Sequence, residues 1–220
     1  HGYLTLPNGV EKAPLVLFPL GGPCAREYQY FDPFVQMMAN QGYAVLQVNF
    51  RGSTGYGNSY QVRGYKEWGK AMQDDLEDAV AWVKSTGYAD TENACVAGAS
   101  YGGYAALVAG FKTPKQFKCI VSIAGISDLN TQIYDWRRRG AENYVRNSVL
   151  SGDENIKAVS PAYHADKFQA PVLLIHGKVD TRVSYRQSVS MYDALKSANK
   201  EVQYYELDNG THQLSDAGNR

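Results

Sequence analysis

One serine in this chain sits where a hydroxyl can be made nucleophilic. Gly98-Ala99-Ser100-Tyr101-Gly102-Gly103 follows directly on a short apolar run, Ala94-Cys95-Val96-Ala97. The pattern reads as a strand that ends, turns sharply at Ser100 and re-enters a helix. A turn that tight leaves no room for a Cβ on the neighbouring backbone, hence the glycines, and it holds the serine itself in a strained conformation. The strain lifts the hydroxyl clear of the strand end, where a base can reach it. A hydroxyl is a poor nucleophile at neutral pH without such a base, so the chemistry this serine points to is acyl transfer. Four histidines are available: His1, His164, His176 and His212. His1 is terminal, and His164 precedes a strand and belongs towards its opposite end. His176 closes a strand and His212 follows the last one, with Asp180 and Asp208 in the same stretch.

These residues need elements to hold them. Apolar runs at 15–20, 43–48, 94–97, 119–123, 172–175 and 202–207, with an edge strand at 3–6, alternate with helical patterns. Met72, Leu76, Ala79, Val80 and Val83 share one helical face, with Asp74, Asp75, Glu77 and Asp78 largely opposite. The four acids read as a solvated face near the positive end of the helix dipole, a metal site being the alternative. A helix is expected over 28–40, closed by Gly42. Ser184 with Gln187 forms a capping-box pattern ahead of a helix running to about Ala198. Residues 138–160 show no period, as befits cap or pocket elements. Without repeats or low-complexity linkers, residues 1–220 read as one domain.

Unalternating strands separated by helices predict an α/β fold, a mostly parallel central sheet with helices on both faces. With the serine turn, this becomes the α/β-hydrolase fold, whose catalytic order is Ser, then acid, then His on the loop after the final strand. His212 fits that place best and His176 comes second. Gly177-Lys178-Val179-Asp180-Thr181-Arg182-Val183 supplies the acid, Asp180, which would fix the imidazole tautomer and stabilise the imidazolium. Asp208 competes, being near His212 in sequence. Backbone N–H groups of Tyr101 and Gly21 are placed to form an oxyanion hole. Ile126, Tyr134 and Trp136, after the 119–123 strand, are the candidates for a substrate pocket.

Bulk composition narrows the classes. The 220 residues suit one domain with a sizeable core, and 22 acids against 22 bases leave no basic excess for nucleic acid. No apolar run approaches a membrane span, so no membrane partner is expected. Arg137-Arg138-Arg139 reads as a solvated helix face, or as an anchor for a substrate carboxylate. Cys95 and Cys119 fall in buried strands, where a free thiol is a small core residue; with Cys24 the count is odd, which argues against a disulfide framework. Neither metal-ligand spacing nor a phosphate loop occurs, since the glycines at 52–57 lack a following Lys-Ser/Thr, so no cofactor is expected. The opening His-Gly-Tyr-Leu-Thr-Leu-Pro has no basic stretch and apolar core. That tips the expectation towards the cytoplasm and leaves a periplasmic or secreted protein open.

Four motifs in order carry a more specific resemblance: Gly21-Gly22-Pro23, Asn49-Phe50-Arg51-Gly52-Ser53-Thr54-Gly55-Tyr56-Gly57, the 98–103 turn, and His176-Gly177-Lys178-Val179-Asp180, with His212 closing the series. The chain resembles the catalytic domain of the prolyl oligopeptidase family of serine peptidases, which includes dipeptidyl and acylaminoacyl peptidases. The resemblance implies hydrolysis of short peptides through an acyl-enzyme by Ser100, Asp180 and His212, with Arg51 as a scaffold ion-pair partner. A carboxylesterase-like hydrolase of small esters and a catalytically impaired domain are the alternatives. Leu20 stands where family members usually carry His or Tyr before the Gly-Gly-Pro. The family's β-propeller is not in the sequence, and its closing helix would follow His212, where only eight residues remain. A missing closing helix would leave one sheet face uncovered and favour self-association.

Overall fold

A computed structural model of the chain describes residues 1–149 and 155–214. Among the described residues, seven strands form one sheet: β1 (Gly2–Thr5), β2 (Pro14–Leu17), β3 (Ala44–Val48), β4 (Asp90–Ala99), β5 (Cys119–Ile123), β6 (Val172–Gly177) and β7 (Val202–Leu207). Their spatial order is β1-β3-β2-β4-β5-β6-β7. Only the β1–β3 pair is antiparallel; the other pairs run parallel. The helices are α1 (Pro33–Asn40), α2 (Asn58–Val62), α3 (Ala71–Thr86), α4 (Tyr101–Lys112), α5 (Leu129–Arg138), the single turn α6 (Glu142–Tyr144) and α7 (Arg186–Ser197). A π-helical turn, Val145–Val149, follows α6. Residues 150–154 of the aperiodic 138–160 segment lie outside the described residues.

Every strand expected from the apolar runs is present, and the differences at element ends have local causes. Helix α1 begins at Pro33 rather than near Tyr28. The residue before a proline is driven out of the helical region, and Asp32 there accepts from Phe34 N–H (2.8 Å) and Val35 N–H (3.2 Å) as an N-cap. The expected capping box at Ser184 and Gln187 does not form. Gln187 is buried and its side chain turns away from its own helix: Oε1 accepts from Ser127 N–H (2.9 Å) and Asp128 N–H (2.8 Å), and Nε2 donates to Asp128 O (3.0 Å). An amide that pairs with a loop 60 residues away cannot also cap its own helix.

Alternation in β4–β6 shows how the sheet is covered. Val96, Ile120, Val172 and Leu174 are fully buried, and Ile120 lies against Gly110 of α4. Helix α4 packs on β4 and β5, and α7 on β6 and β7. The residues pointing the other way, Cys95, Cys119, Val121, Ile123, Leu173 and Ile175, are half-buried. On that face the expectation of free thiols is corrected. Cys95 and Cys119 stand opposite one another in the parallel register and are joined as a disulfide, with Cα atoms 4.8 Å apart. Two same-face partners on adjacent strands fall within the span a disulfide bridges, a pairing that an odd count of three cysteines conceals. Cys24 remains free and exposed.

Of the four acids of α3, Asp74 and Asp78 are exposed, as a solvated face requires, while Asp74 and Asp75 also enter ion pairs. Asp75 takes a bidentate pair from Arg51, Nε–Oδ2 2.8 Å and Nη2–Oδ1 2.6 Å, and also accepts from Arg51 N–H (2.8 Å). Asp74 pairs with Lys112 of α4. Arg51 thus ties the loop after β3 to α3, in keeping with a scaffold ion pair. Asn49 does the same for the loop after β2: its Oδ1 accepts from Glu27 N–H (2.7 Å), while its Nδ2 donates to Glu27 O (3.0 Å). Thr54 N–H adds a bond to Ala25 O at 2.9 Å.

Candidate active site

The turn after β4 is built as its glycines require. Ser100 has φ 57° and ψ −118°, a left-handed backbone unusual for a residue with a side chain. A Cβ on Gly98 would come within 2.4 Å of the Gly102 carbonyl, and one on Gly102 within 2.1 Å of Pro19 O. Ser100 N–H donates to Ile123 O (2.8 Å) and its carbonyl accepts from Tyr104 N–H (3.0 Å). The strained residue is thereby held by β5 on one side and α4 on the other, with its hydroxyl beyond the strand end.

His212 reaches this hydroxyl from the loop after β7. Its Nε2 lies 3.0 Å from Ser100 Oγ and its Nδ1 2.6 Å from Asp180 Oδ2. Asp180 comes from the loop after β6, and the two loops are tied together. Val179 N–H donates to Gly210 O (3.1 Å) and Lys178 N–H to Leu207 O (2.9 Å). The contact is so close that a Cβ on Gly177 would sit 2.1 Å from Gly210 O. Asp208, the competing acid, binds Lys178 Nζ at 2.9 Å instead. His176, the second candidate base, is 0% exposed and lies behind Asp180, its Nε2 3.2 Å from Oδ2.

The Asp180 side chain is buried, yet its oxygens are well supplied. Oδ1 accepts from Arg182 N–H (2.8 Å) and Val183 N–H (3.0 Å), while both histidines face Oδ2. Burial alone would raise the acid's pKa. The bonds from His176, His212 and the two backbone N–H groups outweigh it and hold the carboxyl well below the usual carboxylate range. A permanent anion there keeps the His212 hydrogen on Nδ1 and leaves Nε2 free to accept from a hydroxyl.

The two residues expected to supply oxyanion donors both lie at the Ser100 turn. Tyr101 is the first residue of α4, so its N–H has no partner within the helix. Gly21 lies directly beside the turn: a Cβ there would be 3.2 Å from Ala99 O and 3.8 Å from Ser100 Cβ. Leu20 is buried in the core and brings no polar group to this point.

A cavity of about 620 Å³ opens on Ser100 and His212, with Ile126 and Trp136 in its wall. Tyr134, expected beside them, is corrected: it is 60% exposed and lies outside the cavity, its ring under Arg138. Residues 134 and 136 are two apart on α5, so they cannot share a helical face. Sequence reading missed Trp68 and Tyr144, which complete the wall with Tyr101. Trp68 stands edge-on to Tyr101 (centroids 4.6 Å) and Trp136 (5.8 Å), and Trp136 edge-on to Tyr144 (5.4 Å). Trp68 precedes α3 and Tyr144 lies in the aperiodic segment, so no sequence period marked either. Of the arginine triplet, Arg137 pairs with Glu142, while Arg139 donates to Thr181 O and lines the cavity with Arg182. Among the described residues no group of three or more His, Cys, Asp or Glu side chains gathers to hold a metal ion.

Comparison with known proteins identifies relatives of the whole chain. The chain is 37% identical over 218 residues to dipeptidyl aminopeptidase BIII of Pseudoxanthomonas mexicana, covering 92% of this chain and 32% of that protein. Among solved structures it resembles a puromycin-hydrolyzing peptidase of Mycobacterium tuberculosis (TM-score 0.91, 30% identity, 100% of this chain and 35% of that one). It also resembles an acylaminoacyl peptidase in complex with Z-Gly-Gly-Phe-chloromethyl ketone (TM-score 0.89, 31% identity, 99% and 36%). The chain therefore spans about a third of the length of these relatives. Residues 29–220 match the profile of the prolyl oligopeptidase family, and with the α/β-hydrolase sheet and the Ser100 turn, this establishes that the chain belongs to that family.

Proposed function

We propose that this chain carries the acyl-transfer centre of a serine peptidase, with Ser100 as nucleophile, His212 as general base and acid, and Asp180 as the anion that orients it. The observation that carries this reading is the unbroken line Ser100 Oγ–His212 Nε2 (3.0 Å) and His212 Nδ1–Asp180 Oδ2 (2.6 Å). His212 takes the Ser100 proton as Oγ attacks the scissile carbonyl, and it returns that proton to the leaving amine. The developing oxyanion is received by Tyr101 and Gly21 N–H. Water then repeats the sequence on the acyl-enzyme. Because Leu20 brings no hydroxyl or imidazole, the hole rests on these backbone donors. The substrate is a short peptide, and Trp68, Trp136 and Tyr144 favour a bulky apolar residue on one side of the cleaved bond.

The test is labelling by a fluorophosphonate, lost in Ser100→Ala, with rates on aminoacyl-arylamides and simple acyl esters measured side by side. Turnover of esters with none of amides would replace the peptidase reading by a carboxylesterase. Labelling unchanged in Ser100→Ala would remove the nucleophile assignment altogether. The half-buried face of β4–β6 supports, separately, self-association of the 220-residue chain; a single monomeric species in sedimentation across a concentration series would overturn that.

A further inference from the structure

His176 is a fully buried imidazole that the proposed chemistry leaves without a task. It stands next to last in β6, four residues before Asp180, makes no hydrogen bond to Ser100, and meets the cavity wall only from behind, at the Val183 carbonyl. Its Nε2 faces two acceptors, Asp180 Oδ2 at 3.2 Å and Val183 O at 3.1 Å, so a hydrogen belongs on that nitrogen. Its Nδ1 lies 2.8 Å from Oγ of Ser188, itself buried on α7. A ring protonated on Nε2, with the Ser188 hydroxyl donating to Nδ1, satisfies all three contacts.

Resting on the triad reading above, we propose that His176 is a positioning residue for the acyl-transfer step: its Nε2–H, fixed in that tautomer by Ser188, holds the Asp180 carboxylate in the orientation that receives His212. The carboxylate turns on two side-chain torsions and is pinned at both oxygens. Oδ1 is fixed by the backbone N–H groups of Arg182 and Val183, which do not exchange protons in the reaction. Oδ2 would otherwise be fixed by His212 alone, the group that gains and loses a proton in each turnover. His176 supplies the second, unchanging donor on Oδ2, so that Asp180 keeps its place whichever form His212 takes. Through Ser188 the same contact seats the acid loop on α7. The charged and titratable groups on Asp180 are the two imidazoles, and the one on His176 is Asp180.

The experiment compares His176→Leu, His176→Gln and Ser188→Ala in the 220-residue chain, each checked for folding by circular dichroism and melting. The Gln amide reaches the place of the imidazole Nε2–H, whereas Leu fills the space without a donor. In His176→Leu, kcat on an aminoacyl-arylamide is expected to fall roughly 10- to 100-fold with KM within about twofold, and in His176→Gln to recover to within about threefold of the starting protein. A folded His176→Leu with unchanged kcat overturns the proposal, as does a His176→Gln no better than His176→Leu. Where His176→Leu does not fold, Ser188→Ala decides: a several-fold fall in kcat at constant KM supports the role and an unchanged kcat overturns it. Absence of Ser100-dependent turnover in the unmutated protein would overturn the triad reading and this proposal together. Ser100-dependent turnover indifferent to every His176 variant overturns this proposal alone.

Discussion

Ser100 stores backbone strain at the point where its hydroxyl meets His212 Nε2, and Asp180 stores charge in a buried loop one imidazole further on. The backbone strain at Ser100 is costly for folding and has a use only if the three side chains act together. Ser100→Ala is therefore expected to abolish fluorophosphonate labelling while leaving the melting temperature unchanged or raised. Asp180→Asn should lower kcat by about 10⁴, because Asn can no longer fix the imidazole tautomer. Asp180 also makes a prediction about pH. Its folded-state pKa is depressed, so its contribution to stability is fully present above the unfolded value of about 4 and is lost as pH falls through the folded one. The stability gap between the unmutated chain and Asp180→Asn should be largest near neutrality and shrink only below about pH 4. Urea unfolding across that range checks the sign; a gap that widens towards acid would contradict it.

Elements set where these residues arrive. Five loops at the carboxyl ends of parallel strands bring Gly21, Ser100, Ile126, Asp180 and His212 to one edge of the sheet, the edge where such sheets bind ligands. The loops after β6 and β7 are joined at the Gly177–Gly210 contact, the loop after β2 is tied to that after β3 by Asn49, the loop after β5 to α7 by Gln187, and the loop after β3 to α3 by Arg51. The Arg51–Asp75 pair is partly exposed, with side chains at 35% and 22%, so Arg51→Ala should cost only on the order of 1–2 kcal/mol after solvent screening. A shift in the urea midpoint of that size, with slower labelling of Ser100, is the expected result. The bridge from Cys95 to Cys119 closes a segment of 24 residues between neighbouring strands, a constraint of about 3 kcal/mol in the chain-entropy account. Thiol titration of the unfolded, unreduced chain should find one reactive cysteine, Cys24, and three after reduction; three at the outset would exclude the bridge.

At the scale of the whole molecule the cavity is the feature no single element contains. Its aromatic wall is assembled from the segment before α3 and from α4, α5 and α6, and the loops after β2, β5, β6 and β7 supply the rest of the lining. Trp136 is the member that touches both Trp68 and Tyr144. Trp136→Ala is expected to lower kcat/KM for a substrate with an aromatic acyl residue about tenfold more than for the alanyl counterpart. Equal losses on the two substrates would show that Trp136 acts on the fold of the wall rather than on what it admits.

The catalytic candidates were legible in the amino-acid sequence because each is announced by its neighbours along the chain. Glycines must flank a strained serine, apolar runs mark the strands, and the order Ser100, Asp180, His212 follows from the loops those strands end in. Local chemistry of this kind is written in consecutive residues, so periodicity and spacing recover it. What only the tertiary structure decided depends on which distant residues meet. Cys95 and Cys119 pair because the register of β4 and β5 sets them side by side. Gln187 serves the loop at Ser127 and not its own helix, Tyr134 turns outward where Trp136 turns in, and Trp68 and Tyr144 enter the cavity wall from segments without any period. His176 and His212 are the same residue type at strand ends, yet one lies behind Asp180 and the other in front of it. The side of a carboxylate on which a ring lies is a fact of three-dimensional packing, and no one-dimensional spacing encodes it.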